Sequence, residues 1–189
     1  MELLKQRILS EGKIINGEVL QVGSFKEHMI DARLLHEIGK ELASIFKDFQ
    51  PTKILTIEAS GIATAAFCAL ELNIPFIIAK KHNAINITGD VYFTDVFSYT
   101  KQTNFNIRVS KECINQNDRI LIIDDFLSLG SAVEGLIRII NEANATLIGV
   151  GICIEKSFLQ GASKLISQGI NLHSLVRIKS LDNGVIEII

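Results

Sequence analysis

The sequence lacks a surplus of either charge, and this absence limits the partners that the protein can have. Its 189 residues include 19 Lys and Arg against 21 Asp and Glu, which leave a formal net charge of -2. Because the two signs are mixed along the chain, no broad basic face is available to neutralise the phosphates of nucleic acid. We therefore expect a protein that does not bind a nucleic-acid duplex.

Long apolar runs and linker segments are also missing. The most apolar long stretch, residues 61–79, is interrupted by Glu71, Asn73 and Pro75, which predicts a helix, a turn and a strand. No Pro-, Gly- or Ser-rich stretch divides the chain. We expect a single domain over residues 1–189 that does not span a membrane.

An export signal, a disulfide framework and a metal-ligand cluster are absent as well. The first residues form an amphipathic pattern with Glu2 and Glu11, without an apolar core or a small-residue cleavage site. The widely spaced Cys68, Cys113 and Cys153 suit reduced core thiols. The four histidines stand at no metal-site spacing. The sequence therefore predicts a cytoplasmic location and no transition metal held by the protein.

The pattern of apolar residues predicts strands that alternate with helices. Helical spacing extends over residues 31–49, with Asp31 placed as the N-cap, and recurs in four other segments. Between residues 82 and 110 the pattern weakens, which predicts a hairpin or a mobile flap. Alternating strands and helices favour an α/β fold with a largely parallel sheet, which binds ligands at the carboxyl ends of its strands. The strands are predicted at 53–57, 74–79, 119–123, 147–154, 174–178 and 185–189.

Residues 120–132, ILIIDDFLSLGSA, contain the most informative chemical pattern. A buried strand ends in Asp124 and Asp125, whose carboxylates could accept hydrogen bonds from a vicinal diol and help to hold a Mg²⁺ carried by a polyphosphate. Beyond them, Gly130 lies in a short loop whose amides, from Ser128 to Ala132, would converge on an anion at the start of a helix. An isolated pair of aspartates could instead simply cap that helix.

This segment resembles the motif by which type I phosphoribosyltransferases bind phosphoribosyl diphosphate (PRPP), and the resemblance extends over nearly the whole chain. It includes LQVGSF, KILTIEASGIA, AKKH, SYTKQT, LIIDDFL and GICIEKSF. The resemblance implies the type I fold, a largely parallel sheet flanked by helices, with a small hood built from the termini. It also implies a homodimeric purine-salvage enzyme that transfers the 5-phosphoribosyl group from PRPP to xanthine, with Mg²⁺ as a cofactor carried by PRPP.

The same resemblance assigns a role to each motif that meets PRPP. Asp124 and Asp125 would be the catalytic acids beside the ribose. A flexible loop around residues 98–103 would close over the site and exclude water. The other PRPP-binding residues would be Ser128, Leu129, Gly130, Ser131 and Ala132 around the phosphate, with Ala59, Ser60, Gly61 and Lys81 at the pyrophosphate.

Base selection, by this resemblance, falls to Leu20, Glu27 and Lys156. An ammonium donor at Lys156 suits the 6-oxo group of xanthine, guanine or hypoxanthine, whereas adenine's 6-amino group offers it no acceptor. Phe126 and Phe158 are equally suited to stacking on a base and to packing in the core.

Three residues depart from the family pattern, and one of them, Thr64 in place of a Pro, is expected to matter little. Leu129 stands where Asn or Thr is usual, so one side-chain hydrogen bond is lost and PRPP binding is expected to weaken by roughly 1 kcal/mol at most. Glu27 stands where Asn is expected, and an ionised carboxylate only accepts hydrogen bonds. Facing the 2-position of the base it would favour guanine, facing a ring N–H it would tolerate xanthine, and turned outward it would have no effect.

Other functions compete with xanthine transfer. Guanine or hypoxanthine could be the base, and a catalytically silent relative would keep the fold alone. PRPP-sensing purine repressors also have this fold, but they carry an added DNA-binding domain, whereas this chain starts in the enzyme-like region and has no basic surface pattern. We therefore expect an enzyme.

Overall fold

The computed structural model describes residues 1–16, 19–23, 29–81, 89–98 and 103–189. Within these ranges the α-helices are α1 (Glu2–Glu11), α2 (Ala32–Phe46), α3 (Gly61–Leu72), α4 (Ser131–Glu142) and α5 (Gly161–Ser167). The strands are β1 (Lys13–Ile15), β2 (Val19–Gln21), β3 (Lys53–Ile57), β4 (Phe76–Ala79), β5 (Val91–Ser98), β6 (Thr103–Ser110), β7 (Arg119–Leu127), β8 (Thr146–Lys156), β9 (Leu172–Ser180) and β10 (Glu187–Ile188).

The central sheet, as far as the structure describes the chain, has the strand order β10-β9-β8-β7-β3-β4. All of its neighbouring strands are parallel except β10, which pairs antiparallel with β9. Apolar residues occupy both faces of β7 and β8, as expected for a parallel sheet that helices cover on both sides. The predicted α/β fold with a largely parallel sheet is confirmed.

Two buried apolar clusters cover the two faces of this sheet. One contains the inward residues of α2 and α3, such as Leu35, Leu42 and Cys68. The other contains the inward residues of α4 and α5, including Leu136 and Leu165, together with residues of β5 and β6. In the described part of the chain the result is a three-layer arrangement that covers both faces of the sheet and leaves the ends of its strands accessible to a ligand.

The start of α2 follows the capping rule. The side chain of Asp31 accepts hydrogen bonds from the backbone N–H groups of Arg33 and Leu34, both at 3.1 Å. From α1, Arg7 donates to the same carboxylate at 2.7 Å. The hydrogen bond from Arg7, followed by that from Leu34, holds the pKa of Asp31 below its ordinary value. The predicted N-cap is confirmed, and it also ties α1 to α2.

The two termini meet at the β9 and β10 edge of the sheet and form the expected hood. The amino group of Met1 donates to the carbonyl of Leu175 at 3.1 Å, and Lys5 Nζ donates to the carbonyl of Ile189 at 3.3 Å. The short antiparallel pair β1–β2 lies beside them. Leu20 of β2 is buried in the core here.

Strands β5 and β6 form an antiparallel hairpin that pairs Val91 with Ser110 at one end and Ser98 with Thr103 at the other. The predicted hairpin is therefore confirmed for these strands. Residues 82–88 and 99–102 lie outside the described residues, and so does most of the predicted loop around 98–103.

Several strand boundaries differ from the predicted ones. Strand β7 does not end before the acid pair but continues to Leu127, because β8 is long enough to pair with it as far as Glu155. Asp124 and Asp125 are therefore residues of the strand itself. Pairing also limits β10 to two residues, Glu187 and Ile188, at the edge of the sheet.

The cysteines differ in burial, which corrects one expectation. Cys68 and Cys153 are buried, and burial raises the pKa of the Cys68 thiol to about 12. Cys113 is exposed, because it ends a short 3-10 turn outside the layers, so it is not a core thiol. None of the helices that the structure describes has both the length and the apolar character needed to cross a bilayer.

Candidate active site

Parallel pairing brings the carboxyl ends of β3, β4, β7 and β8 to one edge of the sheet. The segments that follow these strands contain most of the residues singled out in the sequence. Residues 58–61 follow β3, Lys80 and Lys81 follow β4, and residues 128–132 follow β7. Lys156 is the last residue of β8. Segments that are far apart in the chain therefore meet at one edge of the sheet.

The acid pair lies nearly buried in the second half of β7. Asp124 is 4% exposed and Asp125 is 6% exposed. One oxygen of Asp124 accepts a hydrogen bond from the backbone N–H of Asp125, and one oxygen of Asp125 accepts from the N–H of Phe126, both at 2.9 Å. Ser60 Oγ also donates to Asp125, at 3.0 Å, so the loop after β3 is tied directly to the acid pair.

The alternative in which these aspartates only cap the following helix is wrong. Helix α4 begins at Ser131, its N-cap is Gly130, and no side chain caps it. The aspartates lie on β7, several residues before that point. Their position leaves them at the carboxyl edge of the sheet rather than at the helix end.

Gly61 allows α3 to approach the acid pair closely. A Cβ atom at this position would lie 2.8 Å from Asp124 Oδ1 and 2.3 Å from Thr56 Oγ1. Any larger residue would push the first turn of α3 away from β7. Because α3 starts here, its first amides point toward the same edge as the acid pair.

The loop after β7 has the geometry of an anion cradle. Gly130 adopts a φ of +83°, and the chain turns there directly into α4. The N–H groups of Ser131, Ala132 and Val133 belong to the first turn of the helix and have no carbonyl partner within it. With the helix dipole, they favour a negatively charged group in front of the loop.

Gly161 supports this loop and was not identified from the sequence. Its N–H donates to the carbonyl of Ser128 at 3.1 Å, and a Cβ at position 161 would lie 2.3 Å from that carbonyl oxygen. The start of α5 can therefore pack against the loop only without a side chain. The sole signal in the sequence is a glycine before a helix, which is typical of many turns.

A cavity of about 200 Å³ opens in front of the loop after β7. The hairpin forms one wall of it, and Phe126, one of the two aromatic candidates, also reaches it. The other candidate, Phe158, is 43% exposed and does not line it. The described residues that line the cavity are Lys81, Val96, Phe97, Phe105, Phe126, Leu127, Ser128, Leu129, Gly130, Ser131, Ala132 and Val133.

Lys81 joins the cavity from the end of β4. Its ammonium lies 5.3 Å from the centre of the Phe105 ring, and its backbone N–H donates to Glu58. Lys81 therefore adds a positive charge beside the amide cradle. The backbone of its neighbour Lys80 pairs with Arg108 of β6, and the side chain of Lys80 is exposed.

Of the base-selecting candidates, the structure places Lys156 at the site edge and Leu20 in the hood. Glu27 lies outside the described residues. Across the described ranges, no group of three or more His, Cys, Asp or Glu is arranged to hold a metal ion. The carboxylates of Asp124 and Asp125 supply hard oxygen atoms that suit Mg²⁺. This ion commonly binds one or two carboxylates together with the phosphates of a substrate.

A strand with two acids, a following anion cradle and a parallel sheet that brings them together define a site suited to a phosphorylated sugar. Residues 28–164 match the phosphoribosyl transferase domain family, and the chain belongs to this family. Among its curated relatives, a xanthine phosphoribosyltransferase of Bacillus cereus strain G9842 is 47% identical over 98% of this chain and 94% of its own length. One of Pediococcus pentosaceus is also 47% identical, over 99% of both chains.

Solved structures of the same fold include adenine phosphoribosyltransferases. That of Thermoanaerobacter pseudethanolicus superimposes with a TM-score of 0.78 at 18% identity, over 93% of this chain and 98% of the other. That of Trypanosoma brucei, in complex with AMP, pyrophosphate and ribose-5-phosphate, gives a TM-score of 0.77 at 20% identity, over 92% and 79%. At these identities the likeness establishes the type I fold, as predicted, and not the base.

Proposed function

We propose that this chain is a xanthine phosphoribosyltransferase, which joins xanthine to the ribose of PRPP and releases pyrophosphate and xanthosine 5'-monophosphate. The observation that carries the proposal is the meeting of Asp124 and Asp125 with the amide cradle of residues 128–132 at one edge of the sheet. Relatives about 47% identical over nearly the whole chain bear this enzyme's name, which supports the choice of xanthine.

The acid pair and the loops would divide PRPP between them. Asp124 and Asp125 would accept hydrogen bonds from the two ribose hydroxyls, while the amides of Ser128 to Ala132 bind the 5-phosphate. The amides of Ala59, Ser60 and Gly61, with the ammonium of Lys81, would face the pyrophosphate. Leu129 adds no side-chain hydrogen bond, so the backbone and the hydroxyls of its neighbours bear the phosphate contact.

The reaction needs two opposite charges to be stabilised together. As the base nitrogen attacks the anomeric carbon and the bond to pyrophosphate breaks, positive charge develops on the ribose ring and negative charge on the leaving group. The carboxylates of Asp124 and Asp125 would stabilise the positive charge on the ribose, and the loop amides with Lys81 would stabilise the negative charge on the pyrophosphate. Asp124 and Asp125 would help to hold the Mg²⁺ that PRPP carries. This ion would further neutralise the charge of the leaving group.

Base selection rests on Lys156, Leu20 and Glu27. The ammonium of Lys156 would donate to the 6-oxo group, which xanthine, guanine and hypoxanthine share and adenine lacks. Glu27 cannot donate to the 2-oxo group of xanthine, but it can accept from the 2-amino group of guanine. Guanine is therefore the second candidate substrate.

We further propose a homodimer in the cytoplasm. Exposed apolar side chains on α1, Leu3 and Leu9, provide surface that a second copy could cover. Cys68, Cys113 and Cys153 form no disulfide with one another, which suits a reducing compartment. Sedimentation measures the mass in solution. A monomer at micromolar concentration would refute the dimer without bearing on the reaction.

Steady-state rates with xanthine, guanine, hypoxanthine and adenine test the proposed function. We expect kcat/KM to be highest for xanthine, with guanine next and adenine lowest. If adenine is the best base, the role given to Lys156 is wrong. If PRPP binds and no base is converted, a PRPP-sensing regulator replaces the enzyme.

A further inference from the structure

A buried carboxylate precedes Lys156, and the reaction proposed above makes no use of it. Glu155 is 3% exposed and is the second-last residue of β8. One of its oxygens accepts from Arg177 Nε at 3.1 Å and from Ser157 Oγ, and the other accepts from Ser174 Oγ at 2.6 Å. Buried ionised groups are rare unless they are paired in this way. The network of hydrogen bonds therefore offsets the cost of burying this carboxylate.

The partners of Glu155 surround Lys156 along the chain and across the sheet. Ser157 immediately follows Lys156, and its backbone N–H donates to the carbonyl of Ile178 on β9 at 2.9 Å. Arg177 is the register partner of Glu155 on β9, and Leu127, which ends β7, is its partner on the other side. The carboxylate thus joins Ser157, which follows Lys156, to Ser174 and Arg177 of β9.

The side chain of Lys156 belongs to the opposite face from that of Glu155, because successive residues of a strand alternate between faces. The carboxylate can therefore influence Lys156 only through its neighbours in the chain, Glu155 itself and Ser157. Without the hydrogen bonds to Ser157 and Arg177, the last residues of β8 could separate from β9. The ammonium at position 156 would then lose its fixed distance from the base.

We propose that Glu155 is a positioning residue for base selection, which holds the end of β8 so that Lys156 meets the 6-oxo group of an oxopurine. This inference rests on the proposed function, because it takes Lys156 as the donor to the base. It predicts that the network affects the base and not PRPP, whose cradle lies after β7 and is held by Gly161.

The chain contains a matched control at the opposite edge of the sheet. Asp118 is also nearly buried, at 6% exposed, and its carboxylate accepts from Lys53 Nζ at 2.8 Å and Thr52 Oγ1 at 3.0 Å. It precedes β7, at the amino end of the strands. Asp118→Asn removes a charge from a comparable network far from the site.

The substitution Glu155→Gln keeps the shape of the side chain but replaces one accepting oxygen with a donating amide. We expect the KM for xanthine to rise roughly tenfold, while the KM for PRPP stays within about twofold, since the loss of a charged hydrogen bond is of this size. The preference for xanthine over adenine should narrow as well. Asp118→Asn should lower the thermal midpoint and leave both KM values unchanged.

A second pair of variants decides the question if Glu155→Gln does not fold. Ser157→Ala removes one hydrogen bond to the carboxylate and should raise the KM for xanthine severalfold, whereas Ser157→Thr keeps the hydroxyl and should restore it. An unchanged KM for xanthine, or an equal rise for xanthine and PRPP, overturns the positioning role while the proposed function stands. If the unsubstituted protein converts no oxopurine, both fall together.

Discussion

At the scale of single residues, the two aspartates of β7 have different neighbours. Asp125 accepts a hydrogen bond from Ser60, which arrives from the loop after β3, while Asp124 lies against Gly61 at the start of α3. Both are nearly buried, so a ligand that reaches them meets carboxylates already oriented by the protein. This orientation is what separates a binding site from two acids on a surface.

Asp125→Asn tests the catalytic role given to the acid pair. The amide keeps the size of the side chain but removes a charge that would stabilise the ribose in the transition state. We expect kcat/KM to fall about 100-fold, in the range found when one preorganised electrostatic group is removed. Steady-state assays with xanthine measure it, with the thermal midpoint as a check on folding. Undiminished turnover would mean that the charge of Asp125 has no part in the reaction.

Asp118 links stability to pH. Burial by itself raises the pKa of Asp118. The hydrogen bonds from Lys53, the backbone N–H of Asn115 and Thr52 outweigh burial and lower the pKa from its ordinary value of 3.8. A carboxyl whose pKa is lower in the folded protein stabilises it above the unfolded value and loses that contribution as the pH falls through the folded value.

We expect the free energy of unfolding of the unsubstituted protein to exceed that of Asp118→Asn by roughly 1–3 kcal/mol at pH 7. The difference should begin to shrink near pH 4 and disappear well below it. Urea unfolding at a series of pH values measures this. A difference that grows toward acid pH would contradict the assigned sign.

At the scale of elements, the hairpin is docked onto α4 rather than free along its length. Arg138 of α4 donates to Thr94 Oγ1 at 2.8 Å and to the carbonyl of Asp95 at 2.7 Å. Backbone bonds of 2.9 Å also join Lys80 and Arg108. The weak apolar alternation of this segment predicted either a hairpin or a mobile flap. For β5 and β6, the packing against α4 and β4 favours the hairpin, and the sequence alone could not predict that packing.

Arg138→Ala should loosen this wall of the cavity. We expect the free energy of unfolding to fall by about 1 kcal/mol, amide exchange in β5 and β6 to accelerate, and the KM for PRPP to rise severalfold. Arg119→Ala is the matched control, because Arg119 donates to the carbonyls of Phe49 and Gln50 at the far edge of the sheet. Equal exchange rates in the two variants would refute the docking role.

At the scale of the whole molecule, the sheet order places the site. Strands β3, β7 and β8 are adjacent, so their carboxyl ends bring residues 58–61, 124–132 and 156 together. The same fold occurs in adenine phosphoribosyltransferases at about 20% identity. A sheet of this order therefore fixes which strand ends meet at one edge, and open α/β sheets bind their ligands at that edge.

Binding of PRPP should stabilise the entire domain, because a ligand that binds only the folded state shifts the unfolding equilibrium. With Mg²⁺ present and PRPP at 100 times its Kd, the gain is about 2.7 kcal/mol. For a chain of this length, this is a rise of roughly 5–10 °C in Tm. Scanning calorimetry measures it, and Asp125→Asn should show a smaller rise. No rise in the unsubstituted protein would exclude a PRPP site.

The sequence by itself determined the helices, the approximate strands of the central sheet and the acid-and-loop motif, because the periodicity of apolar residues and the order of residues 120–132 are local properties. It could not predict that Ser60 bonds Asp125, that Gly161 supports Ser128 or that Arg177 holds Glu155. These contacts join residues 22 to 65 positions apart. Only the packing of strands and helices decides them, since each depends on which elements become neighbours and on how closely their backbones approach.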